Sequence, residues 1–336
     1  MKVSFVIPCY NSQKTIGKLI DMTCEQMNMM EMNDYEFVLV NDYSKDKTMD
    51  ELRAIANKYK FVKVIDLANN FGQHNAIMAG LNYVEGDIVI GMDDDLQTHP
   101  SQLPKLFAKL DEGYDLVYGK YPEKKHSWFR NLGSKFNNLT VRVLIGKPKT
   151  LKASSFWIAR KFVIDSIIEY ENPYAHLQGL FLRTTKNVGN VDIEHFERVE
   201  GSSNYTMKRL LKLWASCTNF SIVPLRIATM LGCIFSALGF IGAIYIIINK
   251  ILYVNIASGW SSIMSAILFF SGVNLLFIGL VGEYVGRIFI SINKSPQYVV
   301  REFINVNNNE VIEKSIIEGV DNYEENTNSR SRQCSN

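Results

Sequence analysis

The chain has 336 residues, of which 47% are hydrophobic and 21% charged, with a formal net charge of +2. That length accommodates more than one domain, and the charge is too small to argue for a nucleic-acid partner. Five scattered cysteines (Cys9, Cys24, Cys217, Cys233, Cys334) form no CxxC pair, which excludes a disulfide framework and predicts reduced thiols.

The opening run MKVSFVIPCYN is too short and too strand-like for a signal peptide. Val3–Ile7 is apolar and β-branched, and Pro8 ends it, so it reads as a buried parallel strand. Asn11 or Ser12 can cap a helix running to about Met30, with Ile16, Leu19, Ile20 and Thr23 on one face. Strand patterns recur at Tyr35–Val40, Phe61–Leu67, Asp87–Gly91 and Asp115–Tyr118. Helical patterns alternate with them at Met49–Tyr59, Asn75–Tyr83 and Ser101–Leu110, and Gln178–Thr185 is a further helix. Such alternation predicts βαβ units in a twisted, mostly parallel sheet, a Rossmann-like α/β fold. Ligands of these sheets bind beyond the carboxyl ends of the strands. Pro8, Tyr10, Asp42 and Asp93–Asp95 all fall there. No GxGxxG follows the first strand, which argues against a nicotinamide or flavin cofactor.

The stretch GMDDDLQTHP places three consecutive carboxylates after the fourth strand. Their repulsion needs an offset, and Mg²⁺ or Mn²⁺, which favour carboxylate and phosphate oxygens, would supply it. A solvated acidic turn leading into the next helix is the alternative on position alone. Lys120, Lys124, Lys125, Arg130 and Lys135 lie in an irregular stretch that reads mostly as a solvated loop.

Met207–Ser221 has apolar residues at helical spacing opposite Lys208, Arg209 and Lys212, the pattern of an interfacial membrane helix. Ile227–Ile248 and Ser261–Gly282 are uncharged and about as long as a bilayer core is thick, so two transmembrane helices are expected. Basic residues crowd the outer flanks (Arg226, Arg287, Lys294, Arg301), whereas the short connection has only Lys250. The positive-inside rule then puts both termini in the cytoplasm. The tail beyond about residue 306 reads as disordered.

Taken together, FVIPCYN, LVNDYSKDKT, NNFGQHNAIMAGL and MDDDLQTHP resemble the inverting family 2 glycosyltransferases of GT-A fold. The later segments RVEGSSNYTMKRL and VGEYVGRIF, with the paired spans, are similar to the branch acting on polyisoprenyl phosphates. That branch includes dolichyl-phosphate mannose synthases and bacterial undecaprenyl-phosphate sugar transferases.

The resemblance implies a cytoplasmic GT-A domain over 1–204, an interfacial helix over 205–222 and a membrane domain over 223–290 (spans about 227–248 and 261–284). A cytoplasmic segment, 291–336, follows. It implies a nucleotide-diphosphate sugar donor, a polyisoprenyl phosphate acceptor, Mg²⁺ or Mn²⁺, the bacterial inner membrane and a homo-oligomer, by resemblance a tetramer. Residue by residue, it assigns Pro8, Tyr10, Asn11, Asp42, Asn70 and Asp93 to the donor, and Asp95 with Gln97 to the metal. Arg198, Ser202 and Ser203 fall to the acceptor phosphate. Asp93, Asp95 and Arg198 carry catalysis, and Asp94 is left free. Three positions depart from the family pattern: Asn69 where many relatives have Arg, Tyr43 where a small residue is usual, and Trp157 where a phosphate-binding Arg is common. A processive polysaccharide synthase would need a QxxRW segment and more spans, which the sequence lacks. An inactive membrane-anchored binding protein is the alternative from another class.

Overall fold

The computed structural model describes residues 1–121, 151–173, 175–194, 259–293 and 295–306, with isolated helical residues between 225 and 248. The loop basic residues 124–135, the interfacial stretch, the connection between the spans, the tail, and Arg198, Ser202 and Ser203 lie outside the described residues.

The chain runs β1 (Val3–Cys9), α1 (Ile16–Met29), β2 (Tyr35–Asn41), α2 (Thr48–Lys58), β3 (Val62–Leu67), α3 (Gln73–Leu81), β4 (Ile88–Gly91), α4 (Leu103–Asp111) and β5 (Leu116–Lys120). After them come β6 (Trp157–Arg160), α5 (Lys161–Ile168), α6 (Leu177–Thr184), β7 (Val188–Asp192), α7 (Trp260–Ile292) and β8 (Val300–Ile304). The sheet order is β7-β5-β6-β4-β1-β2-β3-β8. β1 pairs in parallel with β2 and β4, β2 with β3, and β5 with β7. β6 runs antiparallel between β4 and β5, and β8 antiparallel along β3.

The continuous apolar run of β1 reflects burial on both faces. One core layer packs Ile16, Leu19 and Ile20 of α1 against Phe5 and Phe37, whose rings stack at 5.0 Å. The other packs α3, α5 and α6 against Val6, Val38 and Trp157. On that side Gly80 meets the sheet so closely that a Cβ there would lie 2.7 Å from Val6 Cγ1.

Two sequence expectations change. α1 begins at Ile16 with Thr15 at its cap position; Asn11 instead takes a left-handed φ of 57°. β6, β7 and β8 have no counterpart among the predicted strands, because each is a short run whose role is fixed by a neighbour distant in sequence. Trp157, where relatives commonly carry a phosphate-binding Arg, is a core residue: it is 1% exposed, in register with Gly91 and Tyr118, with Phe181 edge-on at 4.9 Å.

α7 is one continuous helix of 33 residues, with no charged residue from Trp260 to Gly282. Many of its described apolar side chains are exposed, among them Ile263, Ile267, Phe270, Leu275, Ile278 and Val281. Taken over the fully described residues alone, no helix is long and apolar enough to cross a membrane.

Candidate active site

Parallel pairing brings the carboxyl ends of β1, β2, β3 and β4 to one edge. Each delivers a polar loop there. The loops after β1 and β2 wall a cleft of about 320 Å³ lined by Tyr10 through Thr15, Asp46, Asp94 and Asp95. Pro8 itself is buried within β1 in register with Val40, so of the donor residues predicted at the end of β1 it is Tyr10 and Asn11 that are exposed. Asn11 ties the two loops: its amide donates to Ser44 Oγ at 3.0 Å and its side-chain oxygen accepts the Lys45 amide at 2.9 Å.

Asp42 is a buried clamp. Its carboxylate accepts the amides of Phe71 (2.7 Å) and Gly72 (3.0 Å), while Asn70 Nδ2 donates to the Asp42 carbonyl at 3.1 Å. Burial pushes its carboxyl up, and the two amides hold it down. Predicted donor residues from β2 and from the loop after β3 therefore form one unit.

The three carboxylates of the acidic turn go to different partners. Asp93 accepts from Gln73 Nε2 at 2.7 Å and from the Ser155 hydroxyl. Asp94, expected to be free, accepts the Tyr10 amide at 3.1 Å and the Ser12 hydroxyl. Asp95 faces the cleft and accepts the Gln97 amide at 3.1 Å, across Leu96, whose φ is 60°. Burial raises Asp93 to about 6, and the charges of Asp95 and Asp94 push the same way against the Ser155 and Gln73 hydrogen bonds. Burial also raises Asp94, opposed by Ser12 and the Tyr10 amide.

Among the described residues no three His, Cys, Asp or Glu side chains converge as a metal cage. Magnesium-like ions need none, since one or two carboxylates plus phosphate oxygens and water suffice. Burial is the main cause of the raised Asp93, and the charges of Asp95 and Asp94 add to it; a cation at Asp95 would relieve that added repulsion, so the donor set fits one. Gln73, Ser155 and Asp46 escaped the sequence reading, and Ser12 entered it only as a helix-cap candidate. Of the three that escaped, only Gln73 left a trace, as the polar residue after the Gly72 hinge (φ 85°) that opens α3.

Residues 4–168 match the family model described as "Glycosyl transferase family 2", and residues 223–288 match "GtrB C-terminal hairpin". The chain is 31% identical over 309 residues to an undecaprenyl-phosphate 4-deoxy-4-formamido-L-arabinose transferase of Proteus mirabilis (strain HI4320), covering 91% of this chain and 94% of that one. It is likewise 31% identical over 308 residues to the protein of the same name from Enterobacter sp. (strain 638), at 90% and 94% coverage. Among solved structures it is similar to M. tuberculosis glucosyl-3-phosphoglycerate synthase, with TM-score 0.48 and 20% identity over 66% of this chain and 80% of that one. A likeness of that degree adds nothing on chemistry.

Proposed function

Because the chain belongs to the family 2 glycosyltransferases, in the branch that serves polyisoprenyl phosphates, we propose that it moves one sugar from a nucleotide-diphosphate donor to a polyisoprenyl phosphate. The observation that carries this is the similarity to two undecaprenyl-phosphate sugar transferases along nine-tenths of the chain.

The site suits that reaction. An acceptor phosphate monoester is largely ionised near neutral pH, its second pKa being about 6, so it attacks the anomeric carbon without a strong general base. The new bond forms as the bond to the diphosphate breaks, with inversion. A divalent cation, Mg²⁺ or Mn²⁺, would stabilise the departing diphosphate. Asp95 would hold it, with Gln97 beside it. Asp93, fixed by Gln73 and Ser155, would orient the donor. Asp42 fixes the donor loops as one body, with Tyr10, Asn11 and Asn70 around them. Arg198, Ser202 and Ser203 are assigned to the acceptor phosphate, where a guanidinium fork suits its oxygens.

The membrane placement belongs to the same proposal. α7 at 1.5 Å per residue is about 50 Å long, against roughly 30 Å for a bilayer core. Its exposed apolar side chains would be poorly placed in water. The strand after it, β8, pairs with β3, which supports keeping the end of α7 on the catalytic side. With Ile227–Ile248 as its partner span, both flanks lie in the cytoplasm of a bacterial inner membrane and residues 249–260 lie outside. Single cysteines near Val254 should then react with an impermeant thiol reagent in intact cells; labelling at position 310 instead would reverse the topology.

The functional test is nucleoside diphosphate release. The purified protein should release it when given undecaprenyl phosphate and a matching nucleotide sugar. Donor binding without release would favour the inactive binding protein, and products with several sugars a processive synthase.

A further inference from the structure

Tyr43, next to the Asp42 clamp, has no task in the reaction as described. Its φ is 59°, a conformation bulky L residues rarely adopt and keep only where surrounding contacts over-determine it. Those contacts are present. The Asp42 amide donates to the Cys9 carbonyl at 2.9 Å, and the Ser44 amide to Asn41 Oδ1 at 3.2 Å. One further contact comes from the far end of the chain. The Arg301 guanidinium of β8 lies 5.2 Å from the centre of the Tyr43 ring. Arg301 is held in turn by Asp66 Oδ2 at 3.4 Å and the Ala68 carbonyl at 3.1 Å. Asp66 uses its other oxygen to accept Asn41 Nδ2 at 2.7 Å.

The result is an aromatic ring backed by a fixed cation, yet still 39% exposed, at the edge where Asp42 and Tyr10 stand. A rigid, partly open ring beside a donor site suits a planar base, because every nucleobase has a face to stack and stacking tolerates its identity.

We propose that Tyr43 is the platform on which the donor's nucleobase stacks, with Arg301 as the residue that positions it. This rests on the transferase reading. It makes β8, the strand after α7, part of the donor site. The rival is a staple that only joins β8 to the β2 loop.

The experiment uses the full chain purified in detergent with Mn²⁺ present. It measures binding of UDP, GDP, CDP and inorganic pyrophosphate, together with thermal unfolding. Tyr43→Gly is the informative variant, since glycine accepts the positive φ without strain and removes only the ring. It should weaken the tightest nucleoside diphosphate by about tenfold or more, the scale of one lost stack, with pyrophosphate changed less than about twofold. Tyr43→Phe should bind like wild type. Arg301→Ala should raise the donor KM with kcat little changed. A folded Tyr43→Gly protein that binds nucleoside diphosphates like wild type overturns the proposal, as does an equal loss of pyrophosphate. If wild type binds no nucleoside diphosphate, the transferase reading itself fails, and the platform with it.

Discussion

The Asp94 carboxylate accepts the Tyr10 backbone amide at 3.1 Å, which joins the acidic turn after β4 to the loop after β1. The same carboxylate accepts the Ser12 hydroxyl. The middle aspartate is thus a strut between two walls of the cleft. A hydrogen bond to a charged group contributes about 1.5–3 kcal/mol net. Asp94→Ala should therefore lower the melting temperature by several degrees and raise the donor KM, with kcat less affected. Thermal unfolding and donor titration check this. Unchanged stability and KM would remove the strut.

Asp95→Asn is nearly isosteric and should leave folding intact. It removes a negative oxygen facing the cleft, and with it several kcal/mol of support for the leaving diphosphate, on the order of a thousandfold in kcat. Steady-state turnover at saturating Mg²⁺ or Mn²⁺ measures this. A near-normal rate would move the metal assignment to another carboxylate of the turn.

Asp93 predicts a pH dependence with a definite sign. Its folded value of about 6 lies above that of an unfolded aspartate. Between those values the native state binds the extra proton, so this group's stability contribution is full at lower pH and is lost as pH rises through about 6. In chelator-treated protein, wild type should lose stability over that window and Asp93→Asn should lose less. Identical profiles for the two proteins would contradict the assignment. Added divalent cation should flatten the wild-type profile, because it offsets the Asp95 and Asp94 charges that help raise Asp93.

Gly91 tests the packing beneath the turn. A Cβ at Gly91 would stand 2.2 Å from Trp157 Cε2, so Gly91→Ala must displace the indole or β4. Overpacking of this kind costs typically about 1–3 kcal/mol. Because Asp93 lies two residues on, turnover should fall along with the melting temperature. Pairing it with Trp157→Phe should recover part of both. No recovery would show that the strain lies elsewhere.

These residues also show what the sequence could reveal. The parallel strands β1 to β4 were legible because each is a short run rich in β-branched and other apolar residues that ends in a polar loop. Their carboxyl ends place Tyr10, Asp42 and Asp93–Asp95 together by topology alone. β6 was missed because SSFWIAR is short and pairs in the opposite sense with strands on both sides. The position of the Trp157 ring was not legible either: only the pairing with Gly91 shows that it turns into the core. The partners of the three aspartates were invisible, since Ser155 and Gln73 meet Asp93 across 62 and 20 residues. Arg301 reaches Tyr43 only because β8 pairs with β3, a link that local periodicity does not encode.

The most direct test of the central claim is mass spectrometry of the lipid extract after purified protein meets undecaprenyl phosphate and a panel of nucleotide sugars with a divalent cation. The account predicts one new species, the lipid phosphate carrying a single sugar, formed from one member of the panel and lost with a chelator or with Asp95→Asn. Folded protein that binds a nucleotide sugar yet yields no lipid-linked sugar from any donor would contradict it.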